Sequence, residues 1–277
     1  MVEKPRRLYP GLAVDALYTA FVTAYEPHFN FPGESHEMWE LGCVLTGRMG
    51  ITSGSNVYEC EPYEMVIHPG GIFHTSWTIG DENSRLLTVS FSGDGLDYLV
   101  PRGKFILNER ERRLVMLLCE EVSDVFESDD RPAADAKMAA ETEQIIKNLL
   151  EALCLSLNRR KSEAVAKSSG EGASRFAEIA QYMKHHVAEA LDTDRICAEC
   201  GIGKSALKEL FRRYTGGGAM KYFNYLRIRH IVQLLSRGMT MAEIAREMNF
   251  SSQNYLTDFF KRETGMTPSA YRREKLG

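Results

Sequence analysis

Residues 195–216, RICAECGIGKSALKELFRRYTG, and residues 241–265, MAEIAREMNFSSQNYLTDFFKRETG, share one skeleton. Asp192 aligns with Thr240, Ile196 with Ile244, Cys197 with Ala245 and Gly201 with Asn249 at an offset of 48. Leu207 aligns with Leu256, Phe211 with Phe260, Thr215 with Thr264, Gly216 with Gly265 and Tyr222 with Tyr271 at an offset of 49. A duplicated pattern constrains the fold strongly, because one packing solution must be built twice. The single-residue change in offset falls where a turn between two helices can absorb it.

Each matched position has a physical job in a helix-turn-helix unit. A small residue, Cys197 or Ala245, lets the second helix approach the first, and four residues later Gly201 or Asn249 supplies the left-handed conformation that ends the first helix. Thr240 with Glu243 has the capping-box spacing, and Asp192 or Thr193 can cap the corresponding earlier helix. Leu207, Leu210 and Phe211, like Leu256, Phe259 and Phe260, point inward by their i, i+3, i+4 spacing. That leaves Lys204, Ser205, Lys208, Glu209 and Arg212 outward in one unit and Gln253, Asn254, Thr257, Asp258 and Lys261 in the other. Amides, carboxylates and cations of this kind reach base edges and phosphates in a DNA groove.

The charge distribution agrees. Residues 175–277 carry 17 Lys/Arg against 11 Asp/Glu, so a basic third is joined to an acidic remainder within a chain of net charge -4. Double-stranded DNA is the natural partner of the basic part. The 277-residue length suits two domains, and the composition, 44% hydrophobic and 26% charged, is that of a globular protein. No apolar run approaches the roughly 20 residues of a membrane span, and the N-terminus MVEKPRRLYPGLAVDALYTA lacks a signal-peptide pattern, so a cytoplasmic location without membrane association is expected. Six scattered cysteines, Cys43, Cys60, Cys119, Cys154, Cys197 and Cys200, are expected to be reduced. Cys197 and Cys200 have Cys-x-x-Cys spacing, but they lie on a helix that must pack, and buried structural thiols are expected there.

Ahead of the repeat, residues 20–100 alternate β-branched and aromatic residues with turn clusters every eight to twelve positions, which predicts a small barrel or sandwich, with SGSN at 53–56 as a hairpin turn. From about residue 108 the period becomes helical. Leu114, Leu118, Val122 and Val125 mark one helix, and Met138, Thr142, Ile145, Leu149, Ala152 and Ser156, with a second stripe of Ile146, Leu150, Leu153 and Leu157, mark another beyond the breaker SDDRPAAD. Two faces can serve the barrel and a second subunit, or can both be intramolecular core. NRRKSEAVAKSSGEGAS then reads as a linker. The fold class is therefore α+β.

At these residues the chain resembles the AraC/XylS family of transcriptional regulators. FRRYTGGGAMKYFNYLRIRHIVQLL matches the bridging helix and IAREMNFSSQNYLTDFFKRETGMTPSAYRR the most distinctive signature, over about residues 175–274. Asn249 stands where Gly is usual, Gly203 where Ser is common and Cys197 where Ala is usual. The resemblance implies an AraC-type DNA-binding domain at 175–277 after a flexible linker at 161–174, with its two second helices in successive major grooves about 34 Å apart. It also implies a helical dimerisation or connecting segment at 108–160 and a cupin-like β-barrel sensor domain at 1–107. The segments HEMWELGCVLTGRMGI and HPGGIFHTSW resemble the two cupin motifs, with Glu34 at the first histidine position, His36 at the second, then Glu40 and His74.

Three readings of that group stay open. They are a metal site, an organic-ligand pocket of His36, Glu40 and His74 beside Trp39, Phe73 or Trp77, and structural histidines in a sensor whose ligand, if any, binds elsewhere. The resemblance favours the organic ligand, so His36, Glu40, His74, Trp39 and Trp77 are the candidate ligand-binding residues, with no metal, cofactor or catalytic residue assigned. No nucleophile elbow, phosphate loop or dinucleotide fingerprint is present, and an enzyme is not expected. The implied function is a DNA-binding regulator, expected to be an activator, working as a homodimer with a small-molecule effector such as a sugar and with RNA polymerase. The alternatives are a ligand-independent regulator and a metal-dependent cupin enzyme fused to a DNA-binding domain.

Overall fold

A computed structural model describes residues 11–99, 103–125, 140–159 and 170–276. The chain divides into two compact units, with the main division after Lys167, inside the expected linker. The breaker SDDRPAAD and residues 161–169 of the linker lie outside the described residues.

The N-terminal unit is α+β. Its strands are β1 (Ala13–Tyr25), β2 (Trp39–Thr46), β3 (Met49–Ser53), β4 (Asn56–Cys60), β5 (Glu64–His68), β6 (His74–Thr78), β7 (Ser84–Asp94) and β8 (Lys104–Ile106). They form one sheet in the order β1-β7-β2-β5-β8 and another in the order β4-β3-β6. The expected hairpin is present, with Gly54 at φ 60° between β3 and β4.

Strand alternation sorts β2 into two sets. Leu41, Cys43 and Leu45 face α1 (Glu109–Val125) and α2 (Ala140–Arg159), packing with Val115, Leu118, Ile146 and Leu150. Val44 faces the other way, joining Met49, Ile51, Tyr58, Cys60, Val66 and Leu86 between the two sheets. The unit is thus a cupin-like two-sheet barrel with helices laid on its larger sheet.

The stripe of Ile146, Leu150, Leu153 and Leu157 is the intramolecular face of α2, whereas Ile145 and Leu155, with Met116 and Leu117 of α1, remain exposed. Asn108 Oδ1 accepts from the Glu111 backbone N–H, and Glu111 Oε2 accepts from the Asn108 N–H in return, a reciprocal cap on α1. Glu111 is fully buried, and its Oε1 accepts from Ser156 Oγ of α2 at 3.1 Å, which ties the two helices together.

The C-terminal unit is helical: α3 (Glu171–His185), α4 (Thr193–Cys200), α5 (Lys204–Thr215), α6 (Ala219–Ser236), α7 (Met241–Glu247), α8 (Gln253–Thr264) and the short α9 (Pro268–Tyr271). Residues 171–174, linker by composition, form the first turn of α3. A Cβ on Gly172 would come within 2.8 Å of Tyr214 Oη, so this glycine permits close packing and does not loosen the chain. Phe176 of α3 meets the rings of Phe211, Tyr214 and Tyr222, and a second cluster joins Ile231 and Leu235 of α6 to Ile244, Leu256, Phe259 and Phe260.

All six cysteines are free thiols, but Cys197 and Cys200 are half-buried and not buried as expected, because α4 turns that face partly outward. Among the described residues no helix is long and apolar enough to cross a membrane.

Candidate functional site

Two groups of residues carry chemistry, one in each unit. In the barrel, Glu40 of β2 pairs laterally with His68 of β5 and Ser90 of β7, and Ser90 pairs with Thr19 of β1. Paired residues in an antiparallel sheet project to the same face, so these four form a polar row across the larger sheet. Thr19 Oγ1 donates to Ser90 Oγ at 2.7 Å, and Ser90 Oγ donates to Glu40 Oε2 at 2.8 Å.

Two further histidines converge on that carboxylate. His36 Nε2 lies 3.2 Å from Glu40 Oε2, and His74 Nε2, from β6 of the smaller sheet, lies 3.3 Å from Glu40 Oε1. The carbonyls of Met38 and Ile72 sit 3.2 and 2.9 Å from the respective Nδ1 atoms. A carbonyl can only accept, which fixes a proton on each Nδ1. Each Nε2 therefore meets the carboxylate favourably only with an added positive charge, either a ring proton or a metal cation. Burial alone would raise the Glu40 carboxyl, but the hydrogen bonds of His36 and His74 and the charge of His74 outweigh it and hold the group well below the usual carboxylate range.

His68, absent from the sequence-based set, stacks on His74 with centroids 4.6 Å apart. Burial, reinforced by His74, pushes its imidazole down to about 3, so the ring is neutral, and its Nδ1 has no hydrogen-bond partner among the described residues.

His36 lies ahead of β2, where its Nδ1 donates to the Met38 carbonyl. The structure corrects two expectations here. Trp39 is one residue from Glu40, and alternation turns it to the opposite face of β2, where it packs on the cluster under the helices. Trp77 is three residues from His74 on β6 and likewise faces away, its ring lying over Gly50, where a Cβ would fall 2.0 Å from Trp77 Cε2. His36, Glu40 and His74 come together as expected, without the two tryptophans.

In the C-terminal unit, the matched positions repeat their bonds as well as their residue types. Asp192 accepts from the Arg195 N–H at the start of α4, and Thr240 with Glu243 forms a complete capping box at the start of α7. Gly201 and Asn249 both adopt left-handed conformations, φ 60° and φ 51°. Thr215 and Thr264 each donate to the carbonyl four residues back, Phe211 and Phe260, and each accepts from the N–H two residues on. Gly216 and Gly265 then end α5 and α8 at φ 63° and 77°.

This scaffold leaves Lys204, Ser205, Lys208, Glu209 and Arg212 of α5 exposed, with Gln253, Asn254, Asp258 and Lys261 of α8. Thr257 is half-buried and bonds back to the Gln253 carbonyl. Lys204 ion-pairs with Asp194 of α4, which raises its pKa. Leu210 is half-buried where a core position was expected, while Tyr214 is buried.

A helix-turn-helix domain family matches residues 196–274, which cover all of this arrangement but the start of α4. The chain is 35% identical over 80 residues to the HTH-type transcriptional activator RhaR of Escherichia coli (strain K12), a match covering 28% of this chain and 28% of that relative. Residues 196–274 of the C-terminal unit are a helix-turn-helix domain. An AraC-type transcriptional regulator from Chromobacterium violaceum is similar in structure, with 26% identity, 38% of this chain and 96% of that chain covered and a TM-score of 0.34. ToxT from Vibrio cholerae is similar with 14% identity, coverage of 92% and 97% and a TM-score of 0.38.

Within this helix-turn-helix domain, Tyr255 is an exposed aromatic on the first turn of α8, packed edge-on against Phe250 at 5.7 Å. Its place beside Gln253 and Asn254 gives the outward face a ring that sequence patterning assigned to neither face. Arg227 of α6 lies over Phe250 at 4.2 Å and donates to the Met248 carbonyl, fixing the second helix pair against the bridging helix.

Proposed function

We propose that this chain is a sequence-specific transcription regulator, an activator, that reads two DNA elements with α5 and α8 and takes a small-molecule input through its cupin-like unit. The observation that carries the reading is the paired set of outward side chains on α5 and α8, held by matching left-handed turns and threonine bonds in both helix pairs. Lys208, Arg212 and Lys261 have the chemistry to meet phosphates, while Gln253 and Asn254 have that for base edges. The name of the similar relative RhaR, a transcriptional activator, supports activation and contact with RNA polymerase.

The exposed apolar residues Met116, Leu117, Ile145 and Leu155 on α1 and α2 support homodimerisation through that helix pair. The polar group around Glu40 supports effector binding inside the barrel, a sugar being one class that such a site would hydrogen-bond. On this reading the chain is a cytoplasmic regulator without catalytic activity of its own.

The test is selection of bound fragments from the DNA of the source organism by the purified protein, followed by sequencing. Enrichment of sites with two short elements about one helical turn apart is expected. Uniform recovery of all fragments, with and without candidate effectors, would reject the reading.

A further inference from the structure

We propose that Tyr255 and Arg262 grip the phosphate backbone of DNA along one flank of α8 and so set how that helix lies in the groove; the proposal rests on the reading of α8 as a DNA-reading helix. At about 100° per residue, Leu256, Phe259 and Phe260 mark the buried side of α8, and Asn254 and Asp258 lie opposite them. Tyr255 and Arg262, seven residues apart, share one line about a quarter turn from either side. Neither belongs to the outward set read from the sequence. A helix roughly 10–12 Å across nearly fills a major groove about 12 Å wide, so its pole meets base edges and its flanks meet the sugar-phosphate walls.

The flank is braced from beneath. Among the described residues of the C-terminal unit, Tyr255 is the one exposed large hydrophobic, at 52%, yet its ring is held edge-on by Phe250 at 5.7 Å. Phe250 meets Phe259 at 5.3 Å, and the Arg262 guanidinium lies 5.3 Å from the Phe259 centroid. Arg227 of α6 clasps the same two rings, at 4.2 Å from Phe250 and 5.3 Å from Phe259. Phe250 and Phe259 thus form a ledge that fixes both contacts before DNA arrives, which lowers the entropy cost of making them. Glu263 Oε1 accepts from Arg262 Nε and Nη2 at 3.1 and 3.0 Å, leaving the other guanidinium N–H groups for a phosphate. The Tyr255 hydroxyl is a neutral donor to the same backbone. Asp258, nearer the pole, repels phosphate and suits a base-edge donor, which keeps the backbone to the flank. The aligned positions in α5 are Ala206 and Arg213, so the first helix pair keeps the cation and lacks the hydroxyl.

The test is fluorescence anisotropy of the full-length protein on two labelled duplexes of equal length, the most recovered fragment of the selection above and a scrambled version of it, at several salt concentrations. Tyr255→Phe keeps the ring on its ledge and removes the hydroxyl. It should lose affinity by about tenfold on both duplexes with the salt slope unchanged, because a neutral donor releases no counterion. Arg262→Gln should lower that slope by about 1 on both, and Arg262→Lys should restore it. A Tyr255→Phe affinity equal to the wild type, or an Arg262→Gln slope equal to it, would overturn the proposal. A Tyr255→Phe loss confined to the recovered duplex would overturn it too, since the hydroxyl would then be reading a base. Equal binding of the two duplexes by the wild type rejects sequence-specific reading instead, and the flank contacts are then scored on either duplex, because phosphates are common to both.

Discussion

The side-chain amide of Asn249, in the turn of the second helix pair, donates to the backbone carbonyl of Ala188, in the segment ahead of the first pair, at 3.2 Å. Asn249 thus does two things, of which glycine at the same position could do only the first: it follows α7 in a left-handed conformation, and it tethers one reading unit to the approach of the other. Ala188 itself packs against the apolar cluster of the second pair.

Substitution separates the two roles. Asn249→Gly keeps the left-handed turn and loses a hydrogen bond with a net value of about 1 kcal/mol. Asn249→Ala also forces a left-handed alanine, at roughly 1–2 kcal/mol. In anisotropy titrations Asn249→Gly is expected to lose more affinity for DNA carrying both elements than for DNA carrying one. Equal losses would show that the tether does not set the relation between the units.

The outward faces make different predictions for cations and amides. Lys261→Ala should weaken binding to all sequences and reduce the slope of log K against log salt by about 1. Gln253→Ala should leave that slope unchanged and relax preference at one base pair by roughly 1–3 kcal/mol. Salt titrations on a cognate site and its single-base variants distinguish them, and two wild-type-like proteins would dismiss these faces as the readers.

These faces were legible in sequence because caps, turns and helical spacing are local. Gly201, Asn249 and the box of Thr240 with Glu243 announce themselves within a few residues. The barrel cluster was half legible. His36, Glu40 and His74 lie in recognisable segments, but His68 and Ser90 reach Glu40 through strand register, set by residues far away in the chain. Trp39 and Trp77 were misplaced although strand parity alone separates each from its neighbouring site residue.

The capping box should make α7 sensitive to acid. Hydrogen bonds from the Thr240 backbone and hydroxyl lower the pKa of Glu243 below its ordinary 4.5. A depressed folded-state value means the stabilisation is fully present above the unfolded-state pKa and is lost as pH falls through the folded one. The Tm difference between wild type and Glu243→Gln should therefore be constant near neutrality and narrow below about pH 4.5. A pH-independent difference would remove the carboxylate from the account.

Gly50 should resist any side chain. Its absent Cβ is the space occupied by the Trp77 ring, so Gly50→Ala should destabilise the barrel by about 1–3 kcal/mol through overpacking. Trp77→Leu in the same chain should recover part of that loss, since the clash is removed. Denaturant melts of the two single variants and the double variant measure the coupling, and strict additivity would mean that the ring does not sit over Gly50.

The polar row of Thr19, Ser90, Glu40 and His68 also bears on how the larger sheet assembles. A slip of one residue between β2 and its neighbours would rotate Glu40 to the side of Leu87, Val89 and Phe91, beneath α1 and α2. A carboxylate stranded among those side chains would cost several kcal/mol, while the hydroxyls left behind would lose their acceptor. One acidic residue in an otherwise apolar strand therefore acts as an alignment mark: only one pairing of five strands lets it be buried with its partners, and every neighbouring pairing is penalised before the barrel can close.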